Sequence, residues 1–188
     1  MRTVDLEWHG PLRIPNLPPT KELETQLAKP GVYIYLRKYS KRDLTVAYAG
    51  SAGARTKLIS RFRTHFLSTL GLGYWIRDEN GCYAYRSKYE FCESLNDIDK
   101  KICIAINETK RIQFYYTCIE DQFIKRAESL LIDQLKRKAK DNAQLICENE
   151  RSVSYPTDLP PVVFQNKGAR EITQLLGVKS LQQGSDAP

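Results

Sequence analysis

The chain has 188 residues, 41% apolar and 27% charged, the mix of a globular domain large enough for one core and short for two. No run of eighteen apolar residues occurs, and the opening MRTVDLEWHG has no apolar stretch, so neither a membrane span nor a secretory signal is expected. The formal charge is +7, and Gly31 to Ser68 alone carries eight basic residues against the single acid Asp43, so the other residues sum to zero. A field concentrated in one segment points to a polyanion surface, most often nucleic acid, against the plainer alternative of a solvated basic face.

The five cysteines, Cys82, Cys92, Cys103, Cys118 and Cys147, are odd in number and form no C-x-x-C pair. That excludes a zinc knuckle or ribbon and argues against a disulfide framework, which fits reduced thiols in a cytoplasmic protein.

Taken in chain order, residues 1–19 are expected to be irregular, because Pro11, Pro15, Pro18 and Pro19 forbid a long helix. Thr20 can cap a short helix over about 21–28, which Pro30 and Gly31 end. Gly31 to Arg37 (GVYIYLR) reads as a strand, Lys38 to Asp43 as a turn and Leu44 to Tyr48 as a second, antiparallel strand. A loop from Ser51 to Arg55 leads into a helix over about 56–67, with Leu58, Ile59, Phe62 and Phe66 as its apolar stripe. Arg61 and His65, four apart, stack on one flank of that stripe.

Residues 69–111 carry glycines and aromatics. Strands are expected at Cys82 to Tyr85 and Lys101 to Ile106, and a turn at Asn107 to Lys110. Ile112 to Cys118 reads as a strand. A long helix over about 120–138 follows, with Phe123, Ile124, Ala127, Leu130, Leu131 and Leu135 at helical spacing and Glu128 at the edge of the stripe. Beyond a short apolar run at Leu145 to Cys147, Pro156, Pro160 and Pro161 mark a linker or strap. Gly168 to Leu176 reads as a short helix and Gln182 to Pro188 as a frayed end.

Most familiar chemistry is excluded. There is no G-x-G-x-x-G, no P-loop and no H-E-x-x-H, and two histidines (His9 and His65) cannot build a multi-histidine metal site. What remains is a pair of tyrosines in a hairpin (Tyr33, Tyr48), an arginine and a histidine on the next helix (Arg61, His65), and an acid on another helix (Glu128). One carboxylate can hold one hard divalent ion with waters in the other positions. An arginine can neutralise charge on phosphate oxygens, and a tyrosine or histidine can take a proton from water. This is the inventory of one-metal phosphodiester hydrolysis. Taken singly, a strand tyrosine is usually core or sheet surface, and a helix-flank arginine, histidine or glutamate is usually surface.

The order of these elements resembles the GIY-YIG nuclease family. Gly31-Val32-Tyr33 resembles the GIY element, Tyr48-Ala49-Gly50 followed by Ser51 the YIG element, and Leu58-x-x-Arg61-x-x-x-His65 the motif of the first helix. Glu128 followed by Leu131-Ile132 resembles the metal-binding glutamate motif, and Asn142 falls where the family keeps a bracing asparagine. Ala49 replaces the usual isoleucine. The resemblance covers about residues 31–142.

It implies an α/β (α+β) fold, a small mixed, mostly antiparallel sheet flanked by helices, in a single domain. The core would be 31–68 and 112–142, with an inserted strand and loop region at 69–111 and a C-terminal extension at 143–188. By the same resemblance, Glu128 holds one Mg²⁺ (Mn²⁺ as a substitute), Arg61 contacts the scissile phosphate and Tyr33 activates water. Tyr48 supports the phosphate or positions the water, His65 relays a proton to or from Tyr33 and Asn142 braces the site. Lys38, Lys41, Arg42, Arg55, Lys57 and Arg63 would grip the duplex backbone, and Arg77, Arg86 and Lys88 in the insertion would read bases.

The compact size, the insertion and the lack of a large following domain favour a sequence-specific type II restriction endonuclease, a cytoplasmic bacterial enzyme acting as a homodimer on double-stranded DNA beside a cognate methyltransferase. A repair, structure-specific or mobile-element nuclease, or a non-catalytic DNA-binding protein of the same fold, is the alternative.

Overall fold

A computed structural model describes residues 2–71, 76–85, 98–151, 153 and 162–177. The fold is mixed α/β. Its strands are β1 (Arg2–Leu12), β2 (Gly31–Tyr39), β3 (Leu44–Ala52), β4 (Ile76–Arg77), β5 (Tyr83–Tyr85), β6 (Gln113–Cys118), β7 (Leu145–Cys147) and β8 (Val162–Gly168). The helices among the described residues are α1 (Lys21–Leu27), α2 (Leu58–Leu70), α3 (Ile98–Arg111), α4 (Asp121–Asp141) and α5 (Arg170–Leu176). None is long and apolar enough to cross a membrane.

Six strands form one mixed sheet in the order β7-β3-β2-β6-β1-β8, and β4 pairs with β5 as a separate hairpin. The pairings β2–β3, β2–β6 and β1–β6 are antiparallel; those of β7 on β3 and β8 on β1 are parallel. Both faces are covered. Val32, Ile34, Leu36, Ala47, Ala49 and Tyr115 meet Ile124, Ala127, Leu131 and Leu135 of α4 on one face. Tyr33, Tyr35, Phe114 and Tyr116 meet Leu58, Phe62 and Phe66 of α2 on the other. A strand covered on both sides needs no polar side, which explains the nearly unbroken apolar run of β2.

The hairpin, α2, β6, α4 and α5 lie where the sequence puts them; three expectations change. First, Arg2–Leu12 is a strand and not irregular. Pro11 within it and the prolines after it forbid a helix without forbidding extended chain. Val4, Leu6 and Trp8 alternate inward, and Trp8 Nε1 donates to Asn166 Oδ1 at 3.0 Å. Second, Lys101 to Lys110 is helical and holds neither the strand nor the turn expected there. Lys101, Ala105, Glu108 and Thr109 are its buried positions, spaced as one helix face, while Ile98 and Ile102 are exposed. Third, Val162–Gly168 adds a strand to the sheet edge beyond the proline-rich segment. That segment's Pro156, Pro160 and Pro161, like the expected frayed end at Gln182 to Pro188, lie outside the described residues.

Candidate active site

The site is organised by the β2–β3 register, which sets Tyr33 opposite Gly50 and Tyr35 opposite Tyr48. The ring of Tyr33 lies across Gly50, where a Cβ would meet the Tyr33 hydroxyl oxygen at 2.4 Å. A Cβ at Gly31 would sit 2.1 Å from the Thr117 carbonyl oxygen of the neighbouring strand. Both glycines are therefore demanded by close approach, one by an aromatic ring and the other by backbone.

His65 reaches down from α2 onto this hairpin. Its Nε2 is 3.0 Å from the Tyr33 hydroxyl, and the direction of that hydrogen bond follows the imidazole tautomer. Its ring lies 4.6 Å from Tyr35 and 5.7 Å from Tyr48, centroid to centroid. Burial, then the positive charges of Arg61 and Arg37, push the imidazole down to about 3, so His65 is neutral at neutral pH. The proton relay expected from an imidazole titrating near 6.5 is thereby altered: His65 serves as a neutral hydrogen-bonding partner.

One turn before His65, Arg61 borders a cleft of about 440 Å³. The other walls are Ser51 and the loop Gly53–Thr56 on one side, and Asp121, Ile124 and Lys125 of α4 on the other. Arg61 Nε is buried without a hydrogen-bond partner among the described residues. Asp121 holds the loop in place by accepting from the Ala54 amide at 3.2 Å.

Ser51 connects the cleft to α4. It lines the cleft with Arg61, and its Oγ donates to Glu128 Oε2 at 2.7 Å. Lys125 Nζ reaches the same Oε2 at 3.1 Å. Both protein partners of the buried Glu128 carboxylate thus fall on Oε2, and Oε1 accepts no hydrogen bond from a described residue. Tyr33, Tyr48 and His65 pack together but are not part of the cleft wall; Arg61 is, and Glu128 stands behind it, bonded to the wall residues Ser51 and Lys125.

Among the described residues no group of three or more His, Cys, Asp or Glu could hold a metal ion. Glu128 beside the cleft offers a single carboxylate, the oxygen chemistry a hard divalent ion takes, and any further ligands would have to come from water or substrate oxygens.

Of the backbone-gripping candidates, Lys38 pairs with Glu171, Lys41 with Glu79 and Arg63 with Glu24. Arg42, Arg55 and Lys57 are exposed and make no ion pair with a described residue, and Arg55 borders the cleft itself.

Two assignments are corrected. Asn142 is the exposed residue ending α4, and its side chain accepts from the Gln144 amide at 2.9 Å, so it braces only its own turn. Asn149 is the brace. Buried, it accepts from the Ala49 amide at 2.9 Å and donates to the Ala49 carbonyl at 2.7 Å, continuing the β7 pairing along β3 with a side-chain amide. The only mark it leaves in the sequence is an asparagine two residues past an apolar run.

Arg77 is 3% exposed. Its Nε donates to Glu148 at 3.0 Å, a terminal nitrogen donates to the Gly81 carbonyl at 2.6 Å, and the guanidinium lies 3.8 Å over the Tyr83 ring, so it is spent inside the protein rather than offered to bases. Arg86 and Lys88 lie outside the described residues.

Glu148 belongs to a buried network that sequence reasoning missed. Arg37 pairs with Glu108 at 2.7 Å and with Glu148, Tyr39 donates to Glu108, and Tyr35 donates to Glu148 at 3.2 Å. Burial disfavours the Arg37 charge, but the surrounding Tyr35, Glu148, Tyr39 and Glu108 outweigh it and hold the guanidinium above its usual range. Burial also pushes the Tyr35 hydroxyl up, so it stays a donor.

Comparison of the chain with family models, curated proteins and solved structures found no match.

Proposed function

We propose that this chain is a nuclease of the GIY-YIG type, hydrolysing phosphodiester bonds of double-stranded DNA with a divalent ion, Mg²⁺ or in its place Mn²⁺. The observation that carries the reading is Ser51: one residue past the Tyr48-Ala49-Gly50 element, it lines the cleft with Arg61 and hydrogen-bonds the Glu128 carboxylate.

In this reading Arg61 binds the scissile phosphate and offsets charge developing on its oxygens. Glu128, through Oε1, would hold the ion, which when bound polarises the phosphate and lowers the pKa of water. By the resemblance Tyr33, hydrogen-bonded to the neutral His65 and packed against Tyr48, would take the proton of the attacking water, which must reach it past the cleft wall. Arg55 at the cleft and the exposed Lys57 two residues on would meet neighbouring phosphates, contacts that give affinity without choosing a sequence.

The biological setting we favour is restriction, by a cytoplasmic bacterial homodimer that cuts both strands of a symmetric site beside a cognate methyltransferase. The test is digestion of plasmid DNA with Mg²⁺ and with EDTA. Discrete fragments mapping to one short symmetric site, lost in EDTA, support the reading. Cutting confined to branched or damaged DNA moves the assignment to repair, and binding without cutting in any divalent ion removes the catalytic assignment.

A further inference from the structure

We propose that Lys125 is a movable cation of the same cleft: it neutralises Glu128 in the ion-free protein and turns to a DNA phosphate once a divalent ion takes that carboxylate. This rests on the nuclease reading and adds to it a residue and a sequence of events.

The two partners are anchored unequally. The Lys125 side chain is 64% exposed and that of Glu128 is 11% exposed. Glu128 is also held by Ser51. The carboxylate is therefore the fixed partner and the lysine the mobile one, with a flexible four-carbon stem ending in a point charge.

Three residues apart on α4, the two side chains project from neighbouring positions of one helix face. A poorly solvated carboxylate needs a countercharge, and Lys125 supplies it at 3.1 Å. A divalent ion at the other carboxylate oxygen makes that ammonium redundant and repels it. Lys125 lines the cleft that Arg61 and Arg55 also line, so the released ammonium remains where a phosphate would bind. Cation and anion sites would then fill together, without a bare carboxylate or a crowded positive cluster at any stage.

The experiment measures Mn²⁺ binding to the full chain without DNA, by the loss of the free-ion electron paramagnetic resonance signal, for wild type, Lys125→Met and Glu128→Gln. The expected result is about fivefold tighter binding in Lys125→Met, which removes the competitor, and loss of binding in Glu128→Gln. Duplex binding is then measured against salt. With Ca²⁺ as the ion, Lys125→Met should give a slope of log K on log salt shallower by about 1; in EDTA its slope should equal that of wild type.

Unchanged or weaker Mn²⁺ binding in Lys125→Met, or an unchanged slope in Ca²⁺, overturns the role of Lys125. The metal site stands in that case, provided Glu128→Gln has lost Mn²⁺. Wild-type Mn²⁺ binding in Glu128→Gln overturns the metal site itself and Lys125's role with it.

Discussion

Two regions along the central hairpin use the same residue types to opposite ends. Around Ser51, Arg61 borders an open cleft and Glu128 stands behind its Ser51 wall, with Glu128 Oε1 and Arg61 Nε unspent on partners among the described residues. Around Arg37, Glu108, Glu148 and Arg77 the charges are sealed, each side chain at or below 6% exposure and paired within the protein. Burial with partners turns an arginine into a structural clamp, while partial burial without them leaves it available to a ligand. Arg77 illustrates the point: in the sequence it looks like a base-reading arginine, yet it ties the β4–β5 hairpin to Glu148.

The comparison can be broken at either region. The largest expected effect is on activity at the open one. Glu128→Ala should abolish plasmid cutting, by roughly a thousandfold or more on the scale of losing a group that stabilises charge in the transition state, and should retain salt-dependent duplex binding. Near-normal cutting by that variant would remove Glu128 from the chemistry.

At the sealed region the expected effect is on stability. Arg37→Ala leaves Glu108 and Glu148 buried without their shared partner and should cost about 3–5 kcal/mol in urea unfolding. A loss below 1 kcal/mol would show that the network is not a clamp.

Between the two regions lies the Tyr33–Gly50 contact. Gly50→Ala drives a methyl into the Tyr33 hydroxyl and should cost about 1–3 kcal/mol, with a larger fall in cutting than in duplex binding, because the tyrosine is displaced from His65.

The smallest effect is a pH dependence. The folded-state pKa of His65 is pushed down to about 3 by burial, below the unfolded value near 6.5, so across that window the unfolded chain binds the extra proton. Stability should therefore fall as pH falls through the window. Between pH 7 and 5.5 the loss from this group is about 1 kcal/mol, and His65→Gln should flatten it. An unchanged slope in that variant would place the titrating group elsewhere.

Legibility followed the kind of force at each element. α4 was readable because its apolar residues recur at the helical period and face a hydrophobic sheet. α3 was misread because Ile102, Ile104 and Ile106 alternate like a strand, while its buried face carries Lys101, Glu108 and Thr109. Apolar periodicity does not register a helix docked by ion pairs. β1 was legible in the alternation of Val4, Leu6 and Trp8 but hidden by the prolines that follow. At the candidate site, the resemblance drew attention to Tyr33, Tyr48, Arg61, His65 and Glu128. Ser51 was marked by the resemblance without a role, and Lys125 and Asn149 could not be singled out, since each acts through a partner distant in sequence or on a neighbouring helical turn.

By itself, then, the sequence determined the hairpin, the two long helices that sandwich it and the glycine positions, because local propensity and hydrophobic period act over a few residues. Only the tertiary structure decided which charges are buried in pairs and which stand open at the cleft. A charged side chain's role depends on the dielectric and the partners around it, and those come from segments such as Arg37, Glu108 and Glu148 that the chain separates and the fold brings together.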